Sequence, residues 1–97
     1  MEAIVQDRYT GKTTELIKRS AKSQNYIVCR NPHHVADEAR KLDLKIPFPL
    51  DYDEFISRRY FGKNITGFLI DDIDAMLNYM SYGTNVNAFT ISQKAVQ

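Results

Sequence analysis

The residues with the most chemical content form the segment Gln6-Asp7-Arg8-Tyr9-Thr10-Gly11-Lys12-Thr13-Thr14. A phosphate-cradling loop follows the pattern Gly, four residues, then Gly-Lys-Ser/Thr. The second half of that pattern is intact here, and Gln6 stands at the first glycine. Each retained residue has a physical task. Gly11 lets the backbone approach an anion and turn N–H groups inward. Lys12 carries a mobile positive charge for terminal phosphates, and Thr13 offers a hydroxyl where magnesium would sit. A helix beginning at Lys12 directs its positive end at the same point. The expected nucleotide contacts are therefore Arg8, Tyr9, Thr10, Gly11, Lys12, Thr13 and Thr14.

A second acid-bearing segment complements the first. Phe68-Leu69-Ile70 is an apolar run that ends at Asp71-Asp72. A buried strand that delivers one carboxylate from its C-terminal end can hold the water shell of Mg²⁺. Asp71 is the expected magnesium-side acid, with Thr13. The competing use of Asp71 or Asp72 is to cap the helix that begins near Ile73. Asp74 reads as an acid in the first turn of that helix.

These residues need elements to position them. Ala3-Ile4-Val5, Tyr26-Ile27-Val28-Cys29, Gly67 to Asp71 and Val86 to Ile91 read as strands. Lys12 to about Ser23 reads as a helix with Leu16, Ile17 and Ala21 inward. Asn31-Pro32 punctuates the chain, and His33 to about Leu42 forms a second helix around Val35, Ala39 and Leu42. Asp51 with Glu54 has the spacing of a capping box for a short third helix. Ile73, Met76, Leu77 and Met80 make a helical stripe, with Gly83 as its stop. Strands alternating with helices imply parallel pairing. The expected fold is α/β, one small three-layer P-loop domain over 1–97 with a mainly parallel four-stranded sheet.

Composition narrows the class. The chain has 97 residues, 43% of them hydrophobic and 26% charged, with a net charge of +1. That suits one globular domain and gives no global attraction to nucleic acid or anionic lipid. The single cysteine, Cys29, has no partner for a disulfide. The N-terminus carries no signal-peptide pattern, and no apolar stretch approaches a membrane span. The expected location is the cytoplasm, with no membrane contact.

Taken in order, Thr10-Gly11-Lys12-Thr13-Thr14, Tyr26-Ile27-Val28-Cys29-Arg30, Phe68-Leu69-Ile70-Asp71-Asp72 and Ala88-Phe89-Thr90-Ile91-Ser92 resemble the first RecA-like domain of helicases, cut to a minimum. More narrowly, the chain is similar to short P-loop proteins of bacteriophages and prophages of Gram-positive bacteria. The resemblance implies ATP and Mg²⁺ as cofactors, and Asp71 as the Walker B acid. It makes Asp72 the catalytic candidate, where related ATPases carry a water-polarising glutamate. It also implies that the strand through Phe89 inserts between the P-loop strand and the Walker B strand, with Thr90 or Ser92 facing the phosphates. DEAD-box-type helicases likewise lack the first glycine.

A single RecA-like domain is not a complete motor. The expected function is NTP binding, chiefly of ATP, with weak or partner-dependent hydrolysis in phage DNA metabolism. Activation would come from a protein partner or self-association, and Arg58, Arg59, Arg8 and Arg30 are the arginines considered for the transferring phosphoryl group. A nucleic-acid contact at Arg30 is left open. The alternative is a non-enzymatic interaction module that keeps the fold and binds a host or phage protein. His33-His34 reads as a helix start. Most aromatic residues, Phe55, Phe68 and Phe89 among them, are expected in the core. Tyr9, Tyr60 and Tyr82 are the exceptions.

Overall fold

A computed structural model describes residues 2–5, 11–60 and 62–92. Its elements follow in the order α1 (Lys12–Ser23), β1 (Tyr26–Cys29), α2 (Pro32–Lys41), β2 (Leu50–Asp51), α3 (Tyr52–Ile56), β3 (Phe68–Ile70) and α4 (Ile73–Met80). The three strands form one parallel sheet in the order β2-β1-β3.

The register brings the strand ends together. Val28 and Cys29 lie opposite Leu50 and Asp51 on one side of β1, and Tyr26, Ile27 and Val28 lie opposite Phe68, Leu69 and Ile70 on the other. The Asp71 N–H continues the ladder by donating to the Val28 carbonyl at 2.8 Å. Asp51, Arg30 and Asp71 therefore share the C-terminal edge of the sheet, where open parallel sheets place their ligands.

Alternation along β1 divides the core between two faces. Ile27 and Cys29 join Leu16 and Ile17 of α1 and Val35 and Ala39 of α2. Val28 points the other way, into a cluster with Tyr52 of α3 and Met76 of α4, edged by Phe55, Phe68 and Ile70. Helices thus cover both faces. Burial of Cys29, helped by the charge of Asp71, pushes its thiol pKa up to about 12.

Local chemistry sets the helix boundaries. The Asn31 side chain accepts from the His34 N–H at 3.2 Å, with Pro32 in the first turn of α2. Both hydrogen bonds of the expected capping box hold α3: the Glu54 N–H donates to Asp51 Oδ1 at 2.7 Å and the Asp51 N–H to Glu54 Oε1 at 3.1 Å. Ser20, rather than Ala21, completes the buried side of α1, because its hydroxyl donates to the Asn25 carbonyl at 2.7 Å.

The sheet differs from the expected four strands. Neither residues 2–5 nor residues 84–92 adopt strand structure, whereas Leu50–Asp51, where only a helix cap at Asp51 was expected, forms β2. Residues 2–5 are nevertheless tethered. Arg19 of α1 grips the Glu2 carboxylate with two hydrogen bonds of 2.6 and 2.7 Å, and Ile4 packs against the first core cluster. Val86, Phe89 and Ile91 are exposed, Phe89 to 60%. Phe89 was expected in the core, but among the described residues no strand occupies the outer edge of β3 for it to join.

Candidate functional site

The site is assembled from two turns that lie far apart in sequence. The first is the entry to α1. Gly11 is its N-cap residue, with φ +86°, in the left-handed region that glycine enters at least cost. Glycine has no side chain with which to cap α1, and among the described residues no side-chain cap bond closes that end.

The second turn leaves β3 for α4. Asp71 continues the strand and Asp72 turns the chain, with φ 56° and ψ 71°. The Tyr52 hydroxyl, at the start of α3, donates to the Asp71 carbonyl at 2.9 Å, with the Asp72 carbonyl at 3.4 Å. Tyr52 is buried, and that burial together with the charges of Asp71 and Asp72 raises its pKa. The hydroxyl thus stays a donor at neutral pH and braces the turn from the α3 side.

The two turns meet through side chains. The Thr13 hydroxyl donates to Asp71 Oδ2 at 3.0 Å across 58 residues. Lys12 Nζ bonds Asp72 Oδ1 at 3.1 Å, the two side chains being 31% and 49% exposed. Desolvation is the chief cause that raises the Asp71 pKa, joined by Asp72; the Thr13 hydrogen bond and Lys12 oppose it. The result is a partly buried carboxylate and a hydroxyl side by side, with an ammonium and a second carboxylate next to them.

The structure therefore brings Gly11, Lys12, Thr13, Asp71 and Asp72 to one place. Thr14 lies half-buried in the first turn of α1. Arg8, Tyr9 and Thr10 fall outside the described residues. Asp72 occupies the N-cap position of α4, yet its side chain makes no capping bond and pairs with Lys12 instead. Asp74 is the acid of the first turn, as expected.

The other candidates are dispersed. Arg30 is exposed at the end of β1. Arg59 pairs with Asp53. Tyr60 is not a free stacking surface: it packs against Phe55 and Phe68 at ring separations of 6.3 and 5.1 Å. His33 meets the edge of Phe48 at 5.3 Å. Thr90 and Ser92 are exposed and outside regular structure. Tyr52 was missed by sequence reasoning, and its only local cue was its place directly after a capping aspartate.

No family model, curated protein or solved structure matches this chain. The described residues contain no helix long and apolar enough to cross a membrane.

Proposed function

We propose that the chain is a minimal P-loop protein that binds ATP, or another nucleoside triphosphate, with Mg²⁺. The observation that carries this reading is the meeting of Thr13 with Asp71 and of Lys12 with Asp72, across 58 and 60 residues. Magnesium takes hard oxygen donors and keeps several of its waters. A carboxylate and a hydroxyl 3.0 Å apart are such a donor set. In this reading Gly11 and the open start of α1 receive the phosphates and Lys12 neutralises them. Thr13 and Asp71 hold the cation, which screens phosphate charge when bound. Asp72 orients the attacking water. Arg8, Tyr9, Thr10 and Thr14 complete the nucleotide contacts.

The finer fold belongs to the same proposal. Val86 to Ile91 is rich in apolar side chains, lies exposed, and follows a helix that returns from β3. Added to the open side of β3, it would give a fourth parallel strand by a short crossover. Phage DNA metabolism in the host cytoplasm is the setting that the resemblance suggests. Hydrolysis is slow without a partner or a second copy, because one domain covers one side of the phosphates. One observation favours the alternative of a non-enzymatic module: Lys12 already has a carboxylate partner within the chain.

Calorimetric titration with ATP, with and without magnesium, tests the proposal. Lys12→Ala should weaken binding by about 1.5–3 kcal/mol, roughly tenfold or more, through loss of a charged hydrogen bond. Its circular dichroism should be unchanged, since Lys12 lies outside both core clusters. Equal affinities in two folded proteins would reject the phosphate role.

A further inference from the structure

A buried hydroxyl must find a hydrogen-bond partner. Tyr52 is 4% exposed, and the partners of its hydroxyl are the carbonyls of Asp71 and Asp72, at 2.9 and 3.4 Å. Those are the two acids that face α1. Among the described residues, no other side chain bonds the backbone of that pair.

The bond to Asp71 completes a set. The Asp71 N–H donates to the Val28 carbonyl at 2.8 Å, which fixes the peptide before the residue. Tyr52 fixes the peptide after it. The carboxylate then keeps only its side-chain torsions, and the Thr13 hydroxyl holds those at 3.0 Å. Asp72 follows in a left-handed conformation with φ 56°, a region that side chains other than glycine enter at a cost. Such a conformation persists where its surroundings over-determine it. Without the hydroxyl, the peptide between Asp71 and Asp72 is free to tilt, and both carboxylates tilt with it.

Tyr52 is well placed to act as a fixed point. It is the first residue of α3, directly after the capping-box residue Asp51. Asp51 in turn lies opposite Cys29 in the β2-β1 register. The ring packs with Val28 and Met76, and its centroid lies 6.0 Å from that of Tyr79. The sheet thus sets the position of the hydroxyl, and the hydroxyl sets the turn.

This influence falls on the cation more than on the phosphates. Gly11 and Lys12 belong to the start of α1, and the Tyr52 hydroxyl bonds neither. Magnesium demands near-ideal octahedral geometry, so its ligands tolerate little displacement. A functional group must be held to within about 0.5 Å of its working place.

We propose that Tyr52 is the positioning residue of the cation site, holding the Asp71 carboxylate beside the Thr13 hydroxyl through the Asp71 carbonyl. This rests on the nucleotide and magnesium reading given above. Tyr52 touches neither ligand and acts only through the turn.

The test is calorimetric titration with ATP, in magnesium and in chelator, on wild type, Tyr52→Phe and Phe55→Leu. Phe55 lies on the same helix and edges the same cluster, so its truncation disturbs packing without touching the turn. Tyr52→Phe should weaken binding in magnesium by roughly two- to tenfold, the range that one neutral hydrogen bond supplies. Its affinity in chelator should equal that of wild type. Phe55→Leu should match wild type in both conditions. The three chains are also made with Tyr82→Gly, which keeps marginal variants folded. Tyr82 is 98% exposed and left-handed, with φ 56°, and glycine relieves that strain. Equal magnesium dependence in folded wild type and Tyr52→Phe overturns the proposal alone. So does an equal loss in Phe55→Leu, or a loss by Tyr52→Phe of the same size in chelator. A wild type whose ATP affinity ignores magnesium rejects the magnesium reading, and the role of Tyr52 with it.

Discussion

The ion pair between Lys12 and Asp72 makes Asp72→Asn the most informative substitution. Lys12 must turn toward a phosphate to bind it, and the 3.1 Å contact with Asp72 is the contact it gives up. With side chains 31% and 49% exposed, the pair belongs with half-solvated ion pairs and not with buried ones. Such pairs are worth about 0.2–1 kcal/mol. Removing the pair therefore tightens nucleotide binding by roughly 1.4- to 5-fold. Repulsion between Asp72 and the phosphates acts in the same direction and is screened by salt. Asparagine suits the substitution because it tolerates the left-handed backbone of residue 72 better than most side chains.

The assay is ATP titration in magnesium at low and high salt, on wild type, Asp72→Asn, Lys12→Ala and the double variant. Asp72→Asn should bind more tightly than wild type at low salt, and the gap should narrow as salt rises. In the Lys12→Ala background the same change should lose most of its effect, since the competing pair is already gone. Equal or weaker binding by Asp72→Asn at low salt would refute the reasoning. Asp72 would then act as a ligand-side group and not as a competitor for Lys12.

Other expectations rest on the same corner. Asp71 has its pKa raised chiefly by burial, so the folded chain holds this proton more firmly than the unfolded chain. The nucleotide-free protein should therefore lose stability as pH climbs from the ordinary aspartate value through the raised one, while Asp71→Asn lacks that loss and is the more stable at neutral pH. Urea titrations across pH check this, and a less stable Asn variant at pH 7 contradicts it. Asp71→Asn should also reduce the magnesium dependence of ATP binding, as calorimetry would read. Tyr52→Phe keeps the ring in its cluster but removes the 2.9 Å bond to the Asp71 carbonyl. It should cost about 0.5–1.5 kcal/mol in denaturant unfolding; no shift in midpoint would mean the hydroxyl braces nothing. Phosphate release by the isolated chain should be slow and should rise with protein concentration if a second copy supplies the missing arginine. A fast rate per molecule that survives dilution would place that arginine within one chain.

The features legible in the sequence are those whose cause is local. Asn31-Pro32 and the Asp51–Glu54 pair announce helix starts because the capping atoms lie within four residues of each other. Tyr26 to Cys29 and Phe68 to Ile70 announce strands because an unbroken apolar run has no other comfortable setting in so short a chain. What escapes notice depends on partners elsewhere. Leu50–Asp51 is a strand only because Val28 and Cys29 offer it a ladder, and two residues leave no periodicity to read. Ser20 looks like a surface residue until Asn25 gives its hydroxyl a carbonyl inside the core. Gly83 is the expected stop of α4 and does close it, its N–H donating to the Asn78 carbonyl, but that Tyr82 before it is left-handed as well has no cue in the sequence. The candidate site divides along the same line. Gly11, Lys12, Thr13 and Asp71 stand out because the phosphate-loop pattern against which they are read prescribes residue types at fixed places. That Asp72 spends its carboxylate on Lys12 instead of on its own helix is not visible. It follows from the parallel register, which brings the end of β3 to the start of α1. The same register makes Asp72 readable both as a water-orienting acid and as a competitor for Lys12, and only the double variant separates the two roles.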